Sequence, residues 1–303
     1  MIIKVLGSAA GGGLPQVNCK CRNCMDVRAG KPGIVPRTQS SVAVSGDGKR
    51  WLVLNASPDI RQQINATPEL APPSGPLLRS SPIVAVALTN ADVDHVAGLL
   101  SLREGIPFKL YASERVLAAL EANRIFDVLS RRCVERIALP LERQIEVPGG
   151  LAIEAFAVPG KVALYLEEAG AGFGTRDGDT IGLAVSDPAS QARFFYIPGC
   201  AAVDAPLARR LQGARLVLFD GTLYTDDEMI AQGLSDKTGT RMGHIAISGP
   251  GGSLAALAPL GIARPIYVHI NNSNPVLRED STERAEVERS GWEIARDGME
   301  IRL

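Results

Sequence analysis

The feature that most limits the fold is a recurrence of short apolar runs that stop at glycine, asparagine or aspartate. "IIKVLG", "SSVAVS", "RWLVLNA", "PIVAVALTN", "LAIEAFAV", "TIGLAVS", "RFFYIPG", "ARLVLFDG" and "PIYVHINN" follow one another along the chain. Each is too short for a buried helix and rich in β-branched or aromatic residues, so each reads as a strand closed by a turn. Helical patterns lie between them. "SERVLAALEANRIFDVLS" offers Ser113 as N-cap and Glu114 in its first turn, and "GGSLAALAPLG" and "DSTERAEVERSG" follow later. Strands dominate each half with helices at intervals, which predicts sheets sandwiched between helices. "ELAPPSGPLLRSSP" is a loop by composition, and with no repeat and no linker the expectation is one domain over 1–303.

A chain of 303 residues and 32.1 kDa has room for that. A net charge of −1 gives no electrostatic footprint for a polyanion, so no nucleic acid is expected. No apolar run approaches the roughly 18 residues of a membrane span. The opening "MIIKVLGSAAGGGLP" carries Lys4 inside its short apolar run and reads as a first strand entering a glycine loop, not a signal peptide. Five cysteines, three of them clustered, point to a reducing compartment and a metal, hence the cytoplasm. Glycines 11 to 13 lack the spacing of a phosphate cradle and read as a turn.

The chain has only three histidines, His95, His244 and His269. A lone histidine is ordinarily a satisfied core or surface residue. These three sit after strand-like runs or in a glycine-rich loop, where α/β proteins build sites. Asp220 closes the run "RLVLF" in the same way, though an aspartate there is commonly a turn former.

The segment Asn90-Ala91-Asp92-Val93-Asp94-His95 resembles the HxHxDH signature of the metallo-β-lactamase superfamily. The resemblance implies an α/β (α+β) fold, an αββα four-layer sandwich with two mixed β-sheets between helices. In the alignment Asn90 and Asp92 stand where two signature histidines belong, and no histidine lies in the later "VPGK". One of the family's two metal sites is therefore without its ligand set. Asp94, His95, Asp220 and His269 match the other. Such a mixed nitrogen and oxygen set, without thiolate, suits Fe(II), Mn(II) or Zn(II), and two histidines with a carboxylate is the pattern of non-haem iron oxygenases.

"NCKCRNC" places Cys19, Cys21 and Cys24 as a CxCxxC, which reads as a structural Zn2+ clip rather than free thiols. Zinc needs a fourth ligand. Phosphodiesterases of the superfamily related to tRNA-processing nucleases carry a similar clip, with the fourth ligand at the position of Asn272. The candidates are Asn272, a nearby oxygen, Cys200 or water; Cys133 and Cys200 otherwise read as ordinary buried cysteines.

Together "VLGSAAGGGLPQVNCKCRNC", "RTQSSVAVS", "LNASPDIRQQI", "TNADVDHVAGLL", "MGHIAISG" and "YVHINNSNP" resemble the pyrroloquinoline quinone biosynthesis protein B family. The resemblance implies work on a cross-linked Glu-Tyr intermediate excised from a precursor peptide. The activity expected is iron-dependent hydroxylation of its tyrosine ring, with active-site Fe2+ (Zn2+ or Mn2+ as alternatives) and O2. Two other readings stay open: a non-catalytic carrier of the quinone or its precursor toward the periplasm, and a two-metal hydrolase, against which the missing histidines argue. Asp92 and His244 are the candidate acid/base residues. Arg37, Arg61 and Lys161 are candidate contacts for substrate carboxylates. Expected partners are the small-molecule precursor, other proteins of the pathway and a second copy of the chain in a homodimer.

Overall fold

A computed structural model describes residues 1–167 and 176–303 of the chain. Two seven-stranded sheets carry it. In chain order the strands of the first are β1 (Ile2–Gly7), β2 (Ser41–Ser45), β3 (Trp51–Leu54), β4 (Ile83–Ala87), β5 (Phe108–Ala112) and β6 (Val134–Ala138). Those of the second are β7 (Gln144–Val147), β8 (Leu151–Ala157), β9 (Ile181–Asp187), β10 (Ala192–Ile197), β11 (Val217–Asp220), β12 (Pro265–Val268) and β13 (Glu293–Ile294); β14 (Glu300–Arg302) returns to pair antiparallel with β1. The orders are β14-β1-β2-β3-β4-β5-β6 and β13-β12-β11-β10-β9-β8-β7. Both sheets are mixed, with β3 to β6 and β10 to β13 running parallel.

Alternation along the strands decides what each face buries. Val42, Val44, Leu52 and Leu54 face Ile153, Val185, Phe194, Leu218 and Val268 in a core between the sheets. The intervening residues point outward: Trp51, Val53 and Val86 pack with Ile60, Val116 and Leu120 of the helices Ile60–Ala66 and Glu114–Ala122. On the far side Val217, Phe219 and Tyr267 meet Leu207, Leu257 and Val287 of the helices Ala205–Leu211, Ser253–Leu257 and Thr282–Arg289. Because the strands are covered on both faces, they read as nearly continuous apolar runs. The four layers match the expected αββα sandwich.

Ser113 accepts from the backbone N–H of Val116, as an N-cap should. The long helical pattern after it breaks at Asn123, whose extended backbone ends the helix before a short 3-10 turn, Arg124–Val128. Strands β5, β6, β7, β13 and β14 were not anticipated. "VERIA" and "QIEV" are short edge strands carrying exposed charges, the usual protection of a sheet edge, which erases the apolar signature. No helix among the described residues is long and apolar enough to cross a membrane.

Candidate metal centre

Parallel strands aim their carboxyl ends at one rim of the sandwich, where α/β folds place ligand sites. β4 runs out through Thr89 and Asn90 into the one-turn helix Val93–Val96, which carries Asp94 and His95. β11 ends in Asp220, and β12 is followed at once by His269. His269 has a φ of 56°, a left-handed conformation that a histidine adopts only when its surroundings hold it there. Ile270 does so by exchanging backbone hydrogen bonds with Ser8 and Ala10.

Ligand atoms of Asp94, His95 and His269 lie within 4.8 Å of one another, and so do those of Asp220, His244 and His269. The structure thus divides the set expected from the sequence into two groups that share His269. Asp220 is fully buried, and its carboxylate already accepts from Thr222 N, Thr222 Oγ1, Cys200 N and His244 Nδ1, the last at 2.7 Å. It anchors the second group and is absent from the cavity lining.

The first group fits a cation. Among the described residues His95 Nε2 is buried with no hydrogen-bond partner, which fits the atom to ligate an ion. Asp94 Oδ2 lies 3.0 Å from His269 Nε2 and 3.8 Å from His95 Nε2. Burial lowers His95 to about 4, so the ring is neutral near pH 7, the form that ligates. Burial works against the charge on Asp94, yet His95 and His269 hold its carboxyl below the usual range. His269 is likewise opposed by burial, but the hydrogen bond and charge of Asp94 raise it.

Thr222 Oγ1 stands between the groups, 2.6 Å from Asp220 Oδ1, 2.9 Å from His269 Nδ1 and 3.1 Å from His244 Nδ1. The sequence reading missed it; its place two residues past a strand-ending aspartate was the available signal. A cavity of about 840 Å³ opens over the site. Its walls include Asp92, Asp94, His244 and His269, the cationic Lys161, Lys237 and Arg241, and the less polar Tyr165, Met229 and Met242. Lys161 Nζ is 3.7 Å from Asp92 Oδ1. Arg241 makes a bidentate pair with Glu167.

Two candidate substrate contacts lie elsewhere. Arg37 is buried, its Nη1 donating to Ser8 Oγ and the Ala295 carbonyl, so it ties the β2 entry to the C-terminal segment. Arg61 is exposed on the helix Ile60–Ala66 and does not line the cavity.

The sulfurs of Cys19, Cys21 and Cys24 also lie within 4.8 Å of one another. Asn272 Nδ2 faces all three, at 3.2, 3.5 and 3.3 Å. Rotated by half a turn, the same amide would present its oxygen, a cation ligand. Cys200 instead donates to the Ala202 carbonyl and is no part of this group. Burial opposes ionisation of Cys19, but hydrogen bonds led by the Cys21 N–H lower its thiol. Asn272 follows His269 by three residues, so one loop joins the clip to the centre.

Residues 50–270 match the model of the β-lactamase superfamily domain. Coenzyme PQQ synthesis protein B of Methylorubrum extorquens is 54% identical over 303 residues, covering 100% of both chains. The chain belongs to the coenzyme PQQ synthesis protein B family. Its counterpart in Xanthomonas oryzae pv. oryzae is 52% identical, again over 100% of both chains. The crystal structure of Zn(2+)-bound PqqB from Methylobacterium extorquens superposes with a TM-score of 0.96 at 53% identity, covering 100% of each chain. A diphosphatase of the PhnP family shares the fold, with a TM-score of 0.68 at 18% identity over 100% of this chain and 97% of that one.

Proposed function

We propose that this chain, placed in coenzyme PQQ biosynthesis by its family, hydroxylates the tyrosine ring of the cross-linked Glu-Tyr intermediate with Fe(II) and O2. The observation that carries the reading is the orphaned His95 Nε2 beside Asp94 Oδ2 and His269 Nε2, two imidazoles and one carboxylate at one point. The second group is already spoken for, since Asp220 accepts from Thr222, Cys200 and His244, and Asn90, where the superfamily signature has histidine, has its amide engaged by His95 and Asp92. That disfavours hydrolysis between two metals.

Iron held there would supply O2 activation. In the balance, one oxygen atom enters a ring C–H bond as hydroxyl and the other leaves as water, with two electrons and two protons from an external reductant of the ascorbate class. The chain's own residues bind and orient. Lys161 and Lys237 offer ammonium groups to the substrate carboxylates, while Tyr165, Met229 and Met242 give the ring an apolar wall. Asp92, at the cavity wall beside Lys161, is the base for the phenol proton. His244 donates its Nδ1 proton to Asp220, which leaves Nε2 as the acceptor and fits it to hold a proton in the cavity.

A carrier of the quinone or its precursor would use the same cavity and cations, but it leaves the buried His95 Nε2 without a purpose. The test is O2 uptake by protein loaded with Fe(II) or with Zn(II). Uptake that tracks precursor addition, with iron only, is the expected result; equal silence from both forms would sink the hydroxylase reading.

A further inference from the structure

The position that would be the first signature histidine is occupied by Asn90, and its surroundings give it a different task. Asn90 Oδ1 lies 2.6 Å from His95 Nδ1 and accepts from Asp92 N at 3.0 Å, while Asn90 Nδ2 donates to Asp92 Oδ2 at 3.0 Å. These contacts settle which end of the amide is oxygen. Turned over, it would set NH2 against a backbone N–H and a carbonyl oxygen against a carboxylate. An amide oxygen only accepts, so His95 carries its proton on Nδ1 and its lone pair on Nε2. Thr89 Oγ1 is a distant second partner at 3.4 Å and is already engaged with Asn55.

We propose that Asn90 is a positioning residue that locks His95 in the one tautomer able to donate Nε2 to a metal ion. The inference rests on reading Asp94, His95 and His269 as a metal centre. It assigns a task to a residue that the comparison with the superfamily signature alone presents as a loss. The other two imidazoles also have Nδ1 partners, since Thr222 Oγ1 faces His269 Nδ1 and the acceptor-only carboxylate of Asp220 faces His244 Nδ1. Asn90 differs from Asp220 in being uncharged: it orients the ring without adding an anion to the site. An orienting partner of this kind contributes about 10–100-fold to metal affinity.

Asn90→Leu removes the acceptor at similar volume, and Asn90→Asp made together with Asp92→Asn keeps an acceptor oxygen beside His95 while an amide still faces a carboxylate between the two side chains. With only three histidines in the chain, long-range proton–nitrogen NMR resolves each ring, and metal-free protein reports the tautomer directly. The wild type should show His95 protonated at Nδ1, the N90D/D92N pair should preserve it, and N90L should lose the single tautomer. Chelator competition with Zn(II), followed on the His95 and His269 ring signals, should show about 10–100-fold weaker binding in N90L. The melting temperature of each variant is read alongside.

A wild-type His95 protonated at Nε2 would overturn the proposal even if N90L failed to fold. So would an N90L protein that binds Zn(II) like the wild type. A correct tautomer in a wild type whose ring signals ignore the ion would overturn it through its premise, the metal centre, and leave the orientation of His95 standing as a fact.

Discussion

His269 Nε2 lies 3.0 Å from Asp94 Oδ2, across 175 residues of sequence and from one sheet to the other. A ring nitrogen and a carboxylate oxygen at that distance share either the hydrogen of an N–H donor or a metal ion. Asp94→Asn keeps the shape and removes the charge. It should lower metal affinity at the cavity site by at least about tenfold with little change in melting temperature, read by chelator competition.

Thr222 is the hinge of the second group. Thr222→Val is nearly isosteric but deletes the hydroxyl that meets Asp220, His269 and His244. The expected cost is about 1–3 kcal/mol of stability, because buried partners lose their hydrogen bond. Turnover should fall further than that loss explains. Urea unfolding together with steady-state rates separates the two effects.

The cysteine clip should be held through Asn272. Asn272→Ala removes the one side-chain amide facing Cys19, Cys21 and Cys24. The variant should lose zinc to chelator sooner than the wild type, and Cys200→Ala should not, since Cys200 bonds elsewhere. Metal analysis after dialysis against chelator decides it.

Glu228 gives a pH dependence. It is buried and receives hydrogen bonds from Tyr224 N and Ser273 Oγ, yet burial raises its carboxyl from 4.5 to about 7. The unfolded chain releases this proton near 4.5 and the folded protein near 7. Between those values the folded state binds more protons, so this group costs stability as pH rises from about 4.5 to about 7. Glu228→Gln cancels that loss. Its stability relative to the wild type should improve by roughly 2–3 kcal/mol between about pH 5 and about pH 8. An equal difference at both pH values would contradict the assignment.

Much of this molecule is legible in its sequence because the strands are covered on both faces. Runs such as "PIVAVALTN" and "ARLVLFDG" then stay apolar throughout, and the polar residue that ends each run marks the rim. Asp94, His95 and His269 were visible for that reason, as was the spacing of the cysteines. The edge strands β6 and β7 were not, because solvent-facing charges replace the alternation there. Arg37 was a candidate contact for substrate carboxylates, and only the packing of Ser8 and Ala295 around it shows that it is buried away from the cavity. Asn90 and Thr222 are ordinary polar residues whose roles arise from contacts with side chains that the fold brings to them. No local pattern announces those. The pairing of His244 with Asp220 is of the same kind, and it moves Asp220 from the group around Asp94 to the one around His244.

The measurement that tests the central claim most directly is a single-turnover experiment with isotopically labelled O2. Protein loaded anaerobically with Fe(II) is mixed with the Glu-Tyr intermediate and an ascorbate-class reductant, labelled O2 is admitted, and the product is weighed by mass spectrometry. The account predicts one labelled oxygen atom on the tyrosine ring, absent with His269→Ala. Unchanged precursor, bound equally well by the wild type and by that variant, would contradict it and favour a carrier.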